Sequence, residues 1–256
     1  MQQLNPIAIF NGCPFIDKSF NHIALLTAVC SVRQFLAIQI GWEKQELKEF
    51  LDPLSACLIS DHFQPAHPPV QSRALSASEL CSVNAAIESI ESWRPEWKHL
   101  FRIPVRVRYC LELNIMSMTN PSIPQHVFLG EESFSTPADL EETLVHEFSH
   151  LWLGLIGEIW RLHDVAVPGI FTLPSGTGGK TGTGVLLSAL FAAAVIEFYG
   201  PRRQDFQGRI DYLADYLSGC IDLLHEFSGL TFAGKAVYER LLNYRNVLKS
   251  EVFGQT

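Results

Sequence analysis

Residues 136–163, TPADLEETLVHEFSHLWLGLIGEIWRLH, constrain the fold more than any other stretch of the chain. Thr136 can cap a helix, Pro137 suits the first helical position, and Asp139 complements the positive end of the helix dipole. Leu140, Leu144, Phe148, Leu151, Leu155 and Ile159 then recur at helical spacing and form one core-facing stripe. The pattern predicts a helix to about Leu162. His146 and His150 lie one turn apart on the far side, about 40° from each other, with Glu147 between that pair and the stripe. Two imidazoles at this spacing can reach one cation while the glutamate faces a ligand on it, so His146-Glu147-Phe148-Ser149-His150 reads as a metal site. Gly154 and Gly157 extend the histidine face although glycine disfavours helix, which points to something bulky approaching there, a substrate or another helix.

A third protein ligand has to come from elsewhere. On an unbroken helix His163 would stand about 20 Å from His150, and Asp164 fails on the same length. The metzincin extension fails too, because its glycine and third histidine would fall on Leu153 and Ile156. Glu197 is the better candidate. It is the only acid in a helix predicted over 185–199, and it sits in the last turn, where the dipole disfavours a carboxylate. Ala193 and Ala194, one turn earlier, would let a neighbouring helix pack close. A pair with Arg202 or Arg203 is the competing reading of Glu197, and Glu158, Asp211, Glu226 and His225 are lesser candidates.

Around this helix the periodicity places further elements. Residues 15–60 are mostly helical, a polar loop follows at DHFQPAHPPVQSR, and 76–93 reads as a helix with a capping box of Ser76 and Glu79. RIPVRVRYCLELNI alternates and is β-branched, so it reads as a strand, and PQHVFLGEE reads as a second short one. A glycine-rich loop of about twenty residues leads into the apolar helix that Gly200-Pro201 stops. Helices over about 205–228 and over 232–250, the latter capped by Thr231, close the chain. The order argues for an α+β fold, mostly helical, with a zincin-like metal helix packed against a small sheet. A single domain over 1–256 is expected: a helical part to about 125 with strands near 102–130, and a metal-binding helical part over 136–256.

Charge excludes some partners. The 256 residues carry a formal net charge of -8, and no basic cluster offers a footprint for nucleic acid or an anionic membrane. Six scattered cysteines without a C-x-x-C pair read as buried, reduced thiols, and the N-terminus lacks the pattern of a signal peptide, so a cytoplasmic location is expected. The longest apolar run, Val185 to Ile196, is short for a bilayer span and reads as a buried helix.

PSGTGGKTG imitates a phosphate-binding loop, but Pro174 occupies the first glycine position and no strand run leads into it. Lys180 is nevertheless the only charged residue between Asp164 and Glu197, and a lysine leading into a buried helix suits an anion such as the carboxylate of a small cosubstrate. Arg102, Arg106 and Arg108 on the expected strand are other candidate anion partners.

TPADLEETLVHEFSHLWL, GVLLSALFAAAVIEFYGP and SGLTFAGKAVYERL together resemble the bacterial HExxH-motif peptide-modification proteins of ribosomal-peptide (RiPP) biosynthesis, over roughly residues 125–245. That group is similar to iron(II)/2-oxoglutarate-dependent enzymes that hydroxylate the β-carbon of residues in a precursor peptide. The resemblance implies His146 and His150 as iron ligands, 2-oxoglutarate as cosubstrate and a ribosomal precursor peptide as substrate, with Glu147 positioning rather than acting as a base. Where the family pattern has Arg-Pro before the second helix and Leu-His near its start, this chain has Lys180-Thr181 and Leu186-Leu187. The spacing alone is the commoner mark of zinc, and then Glu147 is the general base of a metallopeptidase. A catalytically silent peptide-binding scaffold is a third reading, and a homodimer is left open.

Overall fold

The computed structural model describes residues 6–42, 46–63, 69–112 and 114–253. Residues 43–45 of the expected helical stretch, 64–68 of the polar loop and Leu113 of the expected strand lie outside the described residues. The fold is α+β and mostly helical, with one small sheet. His22–Ile159 form one compact unit, and Met1–Asn21 with Trp160–Thr256 form another.

The first unit contains the sheet. It runs α1 (His22–Gln39), a 3-10 turn at Leu47–Leu51, α2 (Pro53–Phe63), β1 (Ser72–Ala74), α3 (Ala77–Trp93), β2 (Arg106–Cys110), β3 (Ser117–Met118), β4 (His126–Leu129) and α4 (Pro137–Ile159). The strand order is β1-β2-β4-β3, with β2 parallel to β4 and the other pairs antiparallel. Ser76 and Glu79 form the expected capping box at the start of α3, where both reciprocal bonds are made. The long strand expected over 102–115 is confined to Arg106–Cys110. Pro104, which cannot donate to a ladder, stands just before it, and the two-residue β3 follows as a separate strand.

α4 begins as the sequence predicts. Thr136 Oγ1 accepts from the Asp139 amide at 3.1 Å and donates to the Asp139 carboxylate at 2.7 Å. Leu140, Leu144, Phe148, Leu151 and Leu155 are buried, as are Val145, Trp152, Leu153 and Ile156 on other faces. Trp152 is fully buried and its indole N–H donates to the Leu100 carbonyl at 2.9 Å. The helix packs against α1, α3 and the β3–β4 side of the sheet. It stops at Ile159, three residues before the expected end.

The second unit is helical. A 3-10 turn at Pro6–Phe10 precedes α5 (Gly182–Tyr199), α6 (Arg203–Leu224) and α7 (Phe232–Phe253). Thr181 caps α5 through the Gly184 amide at 3.3 Å, and Thr231 caps α7 through the Gly234 amide at 3.1 Å. α5 is apolar all round, as a core helix is, and packs against α6 and α7. By length and composition His22–Gln39 and Gly182–Leu224 could each cross a membrane, and 72% of the apolar window in the second is buried in the protein. All six cysteines are free thiols; Cys13, Cys30, Cys110 and Cys220 are buried as expected, Cys57 is half-buried, and Cys81 is exposed.

Candidate metal centre

The helical spacing in α4 brings the two histidines together. His146 Nε2 and His150 Nε2 stand 2.8 Å apart, with ring planes at 86°. One neutral imidazole can donate to the other across this gap, and the same convergence of ring nitrogens suits a shared cation. Two imidazole nitrogens at about 2.1 Å from one ion lie about 3.4 Å apart in a tetrahedral site and about 3.0 Å apart as neighbours in an octahedral one. The observed separation is a hydrogen-bond distance, shorter than either, so the pair would open by a few tenths of an ångström on taking a cation of either geometry.

Glu147 lies beside them, 1% exposed, with Oε1 3.9 Å from His146 Nε2. Oε1 accepts a hydrogen bond from the Ser117 hydroxyl on β3 at 2.6 Å. Oε2 is buried without a hydrogen-bond partner. Burial pushes this carboxyl up to about 7, against the Ser117 and Thr119 hydroxyls, which favour the charged form; of the two, only Ser117 has the geometry of a formed bond.

This shift has a consequence for stability. In the unfolded chain Glu147 ionises near its ordinary 4.5, whereas in the metal-free folded protein it keeps its proton to about 7. Between those values the folded state holds more protons, so stability falls as pH rises, by up to about 3 kcal/mol. Urea unfolding in the presence of a chelator is expected to show this loss between pH 4.5 and 8 in the wild type. In Glu147→Gln the loss should be smaller by about that amount, and equal slopes in the two proteins would refute the assignment.

Gly154 and Gly157 do not mark a close helix contact. A Cβ on either would meet nothing within 4 Å among the described residues, although both glycines are only half-exposed. Of the lesser acidic candidates, Glu158 is bound bidentately by Arg33 at 2.8 Å through both oxygens, which explains its presence without a metal. Asp211 accepts from Gln207 at 2.7 Å, and His225 faces the Tyr238 hydroxyl at 3.4 Å. Arg102 is paired with Glu91, and Arg108 bonds Ser72. The length argument against His163 assumed an unbroken helix and does not apply, because α4 ends at Ile159; His163 Nδ1 instead meets the Thr183 hydroxyl at 2.8 Å.

Glu197 and Lys180 belong to the helical unit, while the histidine pair belongs to the unit with the sheet. The Glu197 carboxylate accepts from the Tyr244 hydroxyl at 2.9 Å, and the same hydroxyl reaches the Ala193 carbonyl at 3.5 Å, so α7 is the helix that closes on the alanine face of α5. Phe171 and Lys180 exchange two backbone bonds, at 2.8 and 3.0 Å, which makes the glycine-rich loop a closed antiparallel turn rather than a phosphate cradle. Gly176 and Gly179 take left-handed conformations within it. The Lys180 stem folds back over Gly184, where a Cβ would come within 3.4 Å of it. Among the described residues no group of three His, Cys, Asp or Glu side chains is gathered as for a metal.

Ser117 and Thr119 were not legible as site residues. Their only sequence signal is a pair of hydroxyls at alternate positions of a short polar stretch, and the strand register that aims them at α4 is a long-range property. No protein-family model matches the chain, and no curated protein matches it.

Proposed function

We propose that the chain is a metal-dependent enzyme of the iron(II)/2-oxoglutarate class, which hydroxylates a side-chain β-carbon in a ribosomal precursor peptide. The observation that supports a metal centre is the convergence of His146 Nε2 and His150 Nε2, 2.8 Å apart on one helix with buried Glu147 beside them; the choice of iron follows the sequence resemblance. In this reading a carboxylate completes the ligand set, and a cation pairs with a carboxylate of the cosubstrate. The iron, when bound, supplies oxygen activation coupled to decarboxylation of 2-oxoglutarate. His146 and His150 would hold it through their Nε2 atoms. Glu147, shielded from bulk water and fixed by Ser117, orients a hydrogen-bonding group beside the histidines.

A second reading is a zinc metallopeptidase, and one observation favours it. Glu147 Oε2 is buried and unbonded, as suits a general base waiting for a water proton. One experiment separates the two. Protein purified anaerobically and supplied with iron(II) and 2-oxoglutarate should develop charge-transfer absorbance. It should also form succinate faster when given a synthetic peptide encoded by a short reading frame beside the gene. Tightly bound zinc with cleavage of that peptide would replace the hydroxylase reading with the peptidase.

A further inference from the structure

We propose that Ser117 is a positioning residue for the metal centre: it holds one oxygen of Glu147 so that the other stays available beside the histidine pair. The proposal rests on the metal centre read above. Ser117 is set by the sheet. β3 is an edge strand paired to the fully buried β4, with Ser117 opposite Leu129 and Met118 opposite Phe128. The backbone just before it is clamped as well. The Gly130 amide and the Ser133 hydroxyl both donate to the Met116 carbonyl, and a Cβ on Gly130 would lie 1.9 Å from the Ile115 carbonyl oxygen. Only glycine at position 130 allows this crossing, so the place of Ser117 is fixed by backbone rather than by its own packing.

The hydroxyl then decides where a buried carboxylate points. Glu147 is 1% exposed and makes one formed hydrogen bond, Ser117 Oγ–H to Oε1 at 2.6 Å. His146 Nε2 lies 3.9 Å from the same oxygen. Without Ser117 the one formed bond is lost, and the buried acceptor gains by rotating onto that imidazole N–H or toward the Thr119 hydroxyl. Either move would swing the carboxylate out of place; a cation taking the His146 nitrogen would still bind there, but beside a misaimed Glu147. With Ser117 present, Oε1 is held, His146 faces His150, and Oε2 is left unpaired for the group at the centre.

Infrared difference spectra of the metal-free protein, wild type minus Glu147→Gln, isolate the Glu147 carboxyl band. Ser117→Ala is expected to shift that band and Ser117→Thr to return it, since threonine restores the hydroxyl and suits a strand. In the iron-loaded enzyme with 2-oxoglutarate and the peptide, Ser117→Ala should lower kcat by about 10–100-fold at unchanged peptide KM, with metal content and melting temperature kept. Ser117→Thr should recover most of the rate. A band indifferent to Ser117→Ala overturns the proposal, and so does a loss of metal content or melting temperature in step with kcat, which marks a structural role. A wild type that binds no iron and turns over no peptide defeats the functional reading instead, and the band then decides Ser117.

Discussion

Glu158→Ala is expected to destabilise the protein by about 3–5 kcal/mol, far more than a helix-end substitution ordinarily costs. The reason is its partner. Arg33 on α1 is 2% exposed, and its Nε and Nη2 bond both oxygens of Glu158 at 2.8 Å. Nη1 donates to the Phe50 carbonyl at 2.7 Å and to Gln125 Oε1. Gln125 in turn donates to the carbonyls of Leu51 at 2.8 Å and Pro104 at 2.6 Å. Removing the carboxylate leaves a buried guanidinium that cannot shed its proton. Glu158 also sits in the last turn of α4, where the helix dipole opposes its charge, so Arg33 compensates both. Arg33→Met is expected to cost less, because Glu158 is 22% exposed and can still be hydrated. The double variant Arg33→Met with Glu158→Leu should come back toward wild-type stability. Urea unfolding of the three variants checks this, and a loss below about 1 kcal/mol for Glu158→Ala would show that the network does not carry the charge as described.

The same network shows where sequence reading stops. The starts of α3, α4 and α7 are written locally, because a hydroxyl and an amide three residues on are enough to cap a helix, whereas α5 starts at Gly182, inside the expected glycine-rich loop and ahead of the expected 185, on a Thr181 cap. The end of α4 is not written locally. Nothing in Trp160-Arg161-Leu162 breaks a helix, but in the second unit the Leu162 carbonyl accepts from the Thr231 amide. Gly234 approaches so closely that a Cβ there would lie 1.8 Å from the same oxygen. A partner about seventy residues away thus fixes the chain just beyond the helix, and no window of sequence contains it. β1 and β3, three and two residues long, are below the length at which alternation is a signal.

The site divides along the same line. His146, Glu147 and His150 share one helix, so their spacing alone places them. Ser117 reaches Glu147 across 30 positions and Arg33 reaches Glu158 across 125, and both contacts depend on packing that only the folded chain supplies. Arg33 reads in sequence as an ordinary polar residue of an apolar helix, and its burial is invisible until its acid is found.

His146→Ala and His150→Ala are each expected to lower metal affinity by at least about a hundredfold, because a lone imidazole loses the second bond of the pair. The fold should survive either change. The His146 side chain is 32% exposed, so alanine leaves no buried cavity, and alanine favours the helix. Glu147→Gln is the contrasting case: it leaves both nitrogens in place and its amide oxygen can still accept from Ser117, so it should keep bound metal while losing turnover. Metal content after competition with a chelator, read beside circular dichroism and melting temperature, distinguishes the three. Full metal occupancy in both histidine variants would show that the convergence at 2.8 Å is an imidazole hydrogen bond and nothing more. Loss of metal in the histidine variants together with retention in Glu147→Gln would assign the nitrogens to binding and the carboxylate to the chemistry, which is the division of labour that its buried, singly bonded state favours.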